Sequence, residues 1–303
     1  MIRRDSLSRP TRHEVANSIG IAGTGRVAQA LGRLLSERGQ PVVAIAGRNP
    51  ERTMLAAEFI GPHTAPVTIE ELATRATRIL IAVSDSAVEP VADLLARSGF
   101  RKGVALHTCG AKGPQALAVL ACRGVDCGAL HPVQTFASAE QGAASLVGLS
   151  FAIDGNPQAV KWALSIVTLV GGRSLRILPQ HRGLYHTAAV MVSNYIGALI
   201  HAAVAILGVA GVEREAALTA LAPLVRASAE NALRLGPVEA LTGPIQRGDS
   251  ATVLTHLKAL RNVPDLVRRL YCSAGELVVQ MASSRGLQGT KASEIQEILR
   301  RLQ

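Results

Sequence analysis

Short apolar runs alternate with longer segments of helical spacing along the first 178 residues. Runs such as Val42–Ala46 are apolar throughout, which is typical of strands buried on both faces of a parallel sheet. Between the runs, apolar residues recur every three or four positions, so these segments are predicted to be helices. The pattern predicts an α/β fold with a doubly wound, mostly parallel sheet. Strands are expected at 18–22, 42–46, 65–67, 78–83, 103–107, 126–130, 149–153 and 174–178, and helices at 27–38, 50–59, 69–76, 87–98, 113–123 and 157–170.

The pattern changes after residue 178, where long Ala-rich and Leu-rich segments follow without any strand-like run. We therefore expect an all-α second domain over 179–303, a sheet domain over 17–178 and a flexible basic tail over 1–16. The tail carries four arginines and no apolar stretch follows it, unlike a secretion signal.

One segment, 187–212, is apolar enough to span a bilayer, which requires ~20 residues. Ser193, Asn194 and His201 lie in its middle third, where polar groups are costly in lipid. We therefore expect a helix buried on every side, in the helical domain or a subunit interface, and no membrane association.

Hydrophobic residues make up 48% of the chain and charged residues 18%, which excludes a disordered protein. The net charge of +10 suits nucleic acid, a membrane surface or anionic small molecules. The basic residues are spread along the chain and few aromatic residues are available for base stacking, so nucleic-acid binding is disfavoured. The four cysteines form no C-x-x-C pair, so we expect reduced thiols in the cytoplasm, no disulfide framework and no metal site.

A glycine-rich turn follows the first predicted strand and opens the first predicted helix. It reads Gly23-Thr24-Gly25-Arg26-Val27-Ala28, a G-x-G-x-x-A motif in the strand–turn–helix context that makes it informative. Such a turn offers backbone amides and a helix N-terminus to a pyrophosphate. The second strand ends in Arg48-Asn49 and not in an acid, which favours NADP over NAD. The alternative is that Arg48 is an ordinary surface arginine.

Polar residues close the later strands, where ligands of open α/β sheets bind. Ser84, His107 and Thr108 are expected to face the cofactor, while Asp85 or Ser86 is expected to cap the next helix. His131 can polarise a carbonyl or donate a proton, or it only hydrogen-bonds a neighbouring loop. Cys109 is expected to be a small buried thiol and not a nucleophile.

Five segments, taken together, carry a resemblance to a known family. They are residues 23–28, His107-Thr108-Cys109-Gly110, Leu130-His131-Pro132 with Phe136, Tyr185-His186 through Ser193-Asn194, and Leu241-Thr242-Gly243-Pro244 with Arg247-Gly248-Asp249 and His256. The chain resembles a family with a Rossmann-like domain followed by a helical domain of unknown function, related to β-hydroxyacid dehydrogenases, ketopantoate reductases and pyrroline-5-carboxylate reductases. Cys109 stands where the family pattern has serine.

The resemblance implies catalytic groups on the first long helix of the second domain. Dehydrogenase relatives carry a proton-donating lysine and a substrate-orienting asparagine there. Here the asparagine position is Asn194 and the lysine position is Val190, which cannot donate a proton. His186 lies on the same helical stripe and could replace the lysine, with His131 as the rival acid. The alternative for Asn194 is a buried structural amide.

Thr242, Gly243 and Arg247 could hold a substrate carboxylate, or the loop only connects two helices, with Asp249 as a cap. The resemblance implies an NADP-dependent oxidoreductase that transfers hydride to a small carbonyl compound, of the 2-keto acid type related to ketopantoate. The alternatives are an imine reductase and a non-catalytic NADP(H)-binding redox sensor. A homodimer through the helical domain is also expected.

Overall fold

A computed structural model describes residues 17–301; the predicted basic tail, 1–16, lies outside the described residues. Within them, one sheet of eight strands has the order β3-β2-β1-β4-β5-β6-β7-β8. All neighbouring strands are parallel except β6 and β7, which are antiparallel. The predicted doubly wound, mostly parallel sheet is therefore confirmed. The strands are β1 (Ile19–Ala22), β2 (Val42–Ala46), β3 (Ala65–Val67), β4 (Arg78–Ile81), β5 (Val104–His107), β6 (Asp126–Pro132), β7 (Ser150–Gly155) and β8 (Arg173–Arg176).

Twelve α-helices are found in the described part of the chain. The predicted helix at 113–123 is instead a 3-10 turn followed by one short helical turn, and the helix capped by Ser138 was not predicted. Both segments are rich in Ala and Gly, so they lack a clear apolar period. The helices are α1 (Arg26–Glu37), α2 (Pro50–Ile60), α3 (Ile69–Arg75), α4 (Val88–Arg97), α5 (Ala118–Ala121), α6 (Ala139–Ser145), α7 (Pro157–Leu169), α8 (Arg182–Val209), α9 (Arg214–Leu235), α10 (Ser250–Ala259), α11 (Asp265–Ser284) and α12 (Gly289–Arg300).

Apolar clusters cover both faces of the sheet. Leu31 and Trp162 belong to the cluster on one face, and Leu95 and Phe100 to the cluster on the other. All four residues of β1 are buried, as a central strand between two helical layers requires. This packing fixes the carboxyl ends of β1, β4 and β5 at one edge of the sheet, where the polar residues follow.

The chain divides into two compact units between Val192 and Ser193, inside α8. The predicted boundary at 178/179 lies instead where the strands end and the helical region begins. From 179 to 301 the chain forms helices and turns and no strand, as predicted. The second unit has its own core, which includes Val253, Leu257, Cys272, Ile295 and Leu299.

Helix α8 begins at Arg182, and most of its side chains are exposed in the single chain; Val192 is 71% exposed and Leu199 48%. The region Pro179–Val209 is long and apolar enough to cross a membrane on length and composition alone, a test that core helices of soluble proteins also pass. The helix is therefore not buried within the single chain, and its burial in a subunit interface stays a prediction.

Candidate functional site

The glycine-rich turn has the geometry that its motif predicts. Gly23 has a φ of +116°, and a β-carbon there would lie 2.2 Å from the carbonyl oxygen of Ala82. Gly25 has an ordinary φ of −74°, and a β-carbon there would meet no atom within 4 Å. Ala28 is fully buried against the core. Gly23 is thus required by the backbone, whereas Gly25 leaves open space beside the turn.

The N-terminus of α1 presents unused amides to this open space. Gly25 is the N-cap, no side chain caps the helix, and the first turn holds no acidic residue. The first helical bond runs from the amide of Gln29 to the carbonyl of Gly25, so the amides before Gln29 have no partner within the helix. An anion is the ligand that such a helix terminus favours.

A groove of about 1190 Å³ runs along this edge of the sheet. It is larger than the 300–1,000 Å³ of a typical small-ligand pocket, which suits an extended cofactor with a small substrate. The groove brings together the following predicted site residues: Gly23, Thr24, Gly25, Arg26, Val27, Arg48, Ser84, Thr108, His131 and His186.

Arg48 and Asn49, which follow β2, have different roles in the structure. Arg48 is exposed and lines the groove. The side chain of Asn49 instead caps α2, because its Oδ1 accepts a hydrogen bond from the amide of Arg52 at 2.9 Å. The structure therefore gives Asn49 a local structural role and leaves Arg48 facing the groove.

The predicted cap at Asp85 or Ser86 is wrong. The N-cap of α4 is Ala87, and no side chain caps that helix. Asp85 lines the groove and hydrogen-bonds the thiol of Cys109. Burial, together with this bond, raises the pKa of Cys109 to about 11, so the thiol is protonated and inert, as predicted.

His107 is fully buried and holds the loop after β5. Its Nε2 lies 2.9 Å from the carbonyl oxygen of Gly113, and its Nδ1 accepts a bond from the amide of Cys109 at 3.2 Å. Burial lowers its pKa to about 4. Both ring nitrogens are therefore occupied, and His107 supports the groove without lining it.

His131 and His186 line the groove, and Tyr185 contacts His131 from outside the groove lining. Nδ1 of His131 lies 2.6 Å from the hydroxyl of Tyr185. A β-carbon on Gly110 would lie 2.8 Å from Nε2 of His131 and 2.7 Å from Nδ1 of His186, so both imidazoles pack against Gly110 and leave no room for a side chain there. Nδ1 of His186 is buried and makes no hydrogen bond with a described residue. The groove therefore brings two imidazoles together, with ring centroids 6.0 Å apart.

Both members of the His131–Tyr185 pair are uncharged at neutral pH. Burial, and then the nearby His186 and Arg182, lower the pKa of His131 to about 4. Burial raises the pKa of Tyr185 to about 12. A neutral phenol that donates to Nδ1 leaves the proton of the imidazole on Nε2, on the side of Gly110.

Sequence reasoning missed Tyr185, Gly110 and Arg182 as site residues. Arg182 is 2% exposed and lies one helical turn before Tyr185 on α8. The signal was present in part, since Tyr185 and Gly110 belong to the segments on which the family resemblance rests. A buried arginine has no such signal, because arginine is usually exposed.

The remaining predicted site residues belong to the second unit. Asn194 is exposed in the single chain, and its Oδ1 accepts a bond from the hydroxyl of Ser193. Thr242 and Arg247 are exposed, and Gly243 has a φ of +99°. Asp249 caps α10 through the amide of Thr252 at 3.0 Å, so this loop does connect two helices as the alternative expected.

Comparisons with known proteins agree with this architecture. Residues 5–132 match the model of the Rossmann-like domain, and residues 149–277 match the model described as Domain of unknown function (DUF2520). No curated protein matches the chain in the sequence comparison.

Three solved structures share the fold at low sequence identity. A Bacteroides fragilis protein, proposed to be an NADP oxidoreductase, is 20% identical with a TM-score of 0.70, covering 94% of this chain and 99% of that one. Pyrroline carboxylate reductase of Plasmodium falciparum, solved with NADP bound, is 14% identical with a TM-score of 0.58, covering 94% and 98%. An imine reductase of Streptomyces aurantiacus is 15% identical with a TM-score of 0.57, covering 94% and 93%. Along the chain, a segment that matches the Rossmann-like domain is thus followed by a segment that matches the domain of unknown function DUF2520.

Proposed function

We propose that this protein is an NADP-dependent oxidoreductase that reduces a small carbonyl compound, of the 2-keto acid type. The observation that carries the proposal is a single groove lined by both the glycine-rich turn and His131, whose Nδ1 lies 2.6 Å from the hydroxyl of Tyr185. Structural neighbours described as NADP oxidoreductases or solved with NADP or NADPH support the cofactor class.

The residues of the groove fit such a cofactor. The amides at the start of α1 and the open space at Gly25 suit a pyrophosphate. Arg48 at the end of β2 is placed to pair with a 2′-phosphate, and the groove lining holds no acid at that strand end to bind a free 2′-hydroxyl. When bound, NADPH supplies a hydride to the carbonyl carbon.

The chain itself supplies the proton. His131 and His186 line the groove, where Nε2 of His131 would hold the carbonyl oxygen, and negative charge grows on that oxygen as the carbon is reduced. The proton on Nε2 of His131 passes to the oxygen, while the phenol proton of Tyr185 passes to Nδ1. The tyrosinate that is left takes a proton from water. This proton transfer balances in atoms and charge, so it does not require a lysine at the position of Val190.

A second candidate is imine reduction, because the Plasmodium falciparum neighbour is a pyrroline carboxylate reductase and the Streptomyces aurantiacus neighbour is an imine reductase. Substrate binding by Asn194, Thr242, Gly243 and Arg247 stays a prediction for either substrate class. We also propose a homodimer through the helical domain, since several large apolar residues of α8 and α9, such as Leu199 and Leu224, are exposed in the single chain.

The shift in melting temperature with NADPH, NADP, NADH and NAD tests the cofactor proposal. We expect the largest shift with NADPH, and a preference for NADH in Arg48→Asp. Arg101→Asp is the matched control, because Arg101 is exposed, precedes β5 and does not line the groove. If none of the four nucleotides shifted the melting temperature of the wild-type protein, the proposal would be contradicted.

A further inference from the structure

A buried arginine, Arg182, precedes Tyr185 by one helical turn on α8 and lies outside the groove lining. The side chain of Arg182 is 2% exposed, and its Nη1 donates to the carbonyl oxygen of Lys112 at 2.9 Å. Its Nε lies 3.6 Å from Oδ2 of Asp154, too far for a good hydrogen bond. Nε and Nη2 make no hydrogen bond with any described residue, and neither does Oδ2 of Asp154. A buried charge with two unused donors requires an explanation.

The position of Arg182 relates it to Tyr185, His107 and His131. It precedes Tyr185 by three residues on α8, so the two side chains share a helix face. Lys112, whose carbonyl it binds, is followed by Gly113, whose carbonyl binds His107. Asp154 pairs in register with Ala129, two residues before His131 on β6.

We infer that Arg182 is a positioning residue for the His131–Tyr185 pair, a buried cation that opposes protonation of His131 and stabilises negative charge on a carbonyl oxygen. The inference rests on the proposed function and narrows its substrate class. A positive charge in a medium of low polarity favours a group that becomes an alkoxide and disfavours a protonated imine. The site is therefore tuned for carbonyl compounds.

The groups that face the pair are consistent with this role. Burial is the largest cause of the lowered pKa of His131; His186 and then Arg182 lower it further, and Asp85 raises it. The pKa of Tyr185 is raised by burial and lowered by Arg182, so the guanidinium favours the tyrosinate that proton transfer leaves. Asp154 is the carboxylate that faces Arg182 itself.

The test is a titration of His131 in the full chain without cofactor or substrate, so it does not depend on turnover. Imidazole 15N signals are followed from about pH 8 to about pH 3. In Arg182→Met the pKa of His131 is expected to rise from about 4 toward the 6.5 of an ordinary histidine. Arg182→Lys keeps the charge and is expected to titrate like the wild type.

Two further variants keep the test decisive. Arg182→Met combined with Asp154→Asn leaves no unpaired carboxylate, so it serves if the single variant does not fold. Lys112→Met removes a surface cation from the loop after β5, where Lys112 pairs with Glu89 of α4. This variant is expected to leave the pKa of His131 unchanged. If the pKa of His131 were unchanged in a folded variant that lacks the positive charge of Arg182, the inference would be overturned. So would an equal rise in Arg182→Lys, because shape and not charge would then be responsible.

Turnover separates this inference from the proposed function. With NADPH and a panel of 2-keto acids and cyclic imines, we expect the wild type to prefer the keto acids. Arg182→Met is expected to lower kcat for them by at least about tenfold with little change in KM. A wild-type preference for imines would overturn the inference while leaving the oxidoreductase proposal intact. If neither class reacts, the proposed function fails, and the titration still decides whether Arg182 controls His131.

Discussion

Replacing Gly25 by alanine separates the folding role of the glycine-rich turn from its binding role. Alanine tolerates a φ of −74°, and its β-carbon would meet no atom within 4 Å. The free energy of unfolding should therefore change by no more than about 0.5 kcal/mol. The same β-carbon enters the space through which a pyrophosphate would approach the backbone. We expect the affinity for NADPH to fall at least about tenfold, or about 1.4 kcal/mol.

Gly23→Ala is the matched comparison in the same turn. Its φ of +116° and the 2.2 Å approach to the Ala82 carbonyl oxygen both penalise a side chain. Backbone strain of about 1–2 kcal/mol and overpacking of about 1–3 kcal/mol predict a loss of about 2–5 kcal/mol in folding stability. Urea unfolding without ligand and calorimetric titration with NADPH measure the two effects. If Gly25→Ala bound NADPH like the wild type, the assignment of the turn to pyrophosphate binding would be refuted.

Three other predictions test the catalytic pair, a buried histidine and the apolar surface. Tyr185→Phe should lower kcat by about 10²–10⁴-fold and leave the NADPH melting shift unchanged, and full activity would remove Tyr185 from the proton path. Because the pKa of His107 is about 4 when folded and about 6.5 when unfolded, the unfolded chain binds the proton first. Stability should therefore fall by about 3 kcal/mol between pH 6.5 and pH 4, and urea unfolding of His107→Gln should show a smaller fall. Leu199→Glu should shift the mass found by light scattering from dimer to monomer, and a monomeric wild type would contradict the dimer proposal.

Much of the sheet domain follows from local pattern. Buried strands are apolar runs, and the helices between them have a 3.6-residue period, so Val42–Ala46 was predicted to the residue. The glycine-rich turn was equally readable, because its function depends on residues that are adjacent in sequence. The predicted helix boundaries were wrong near α5, and α6 was not predicted, because these Ala-rich and Gly-rich segments have no clear apolar period.

The sequence by itself determined the fold class, the glycine-rich turn and the type of residue at each strand end. The tertiary structure decided which polar groups meet. It assigned Asn49 to a helix cap and His107 to a loop support, and it joined His131 to Tyr185, which is 54 residues away in sequence. It also buried Arg182, which composition would leave in solvent. The physical reason is that strand and turn signals are local, whereas the hydrogen bonds and burial that give a side chain its protonation state depend on distant segments.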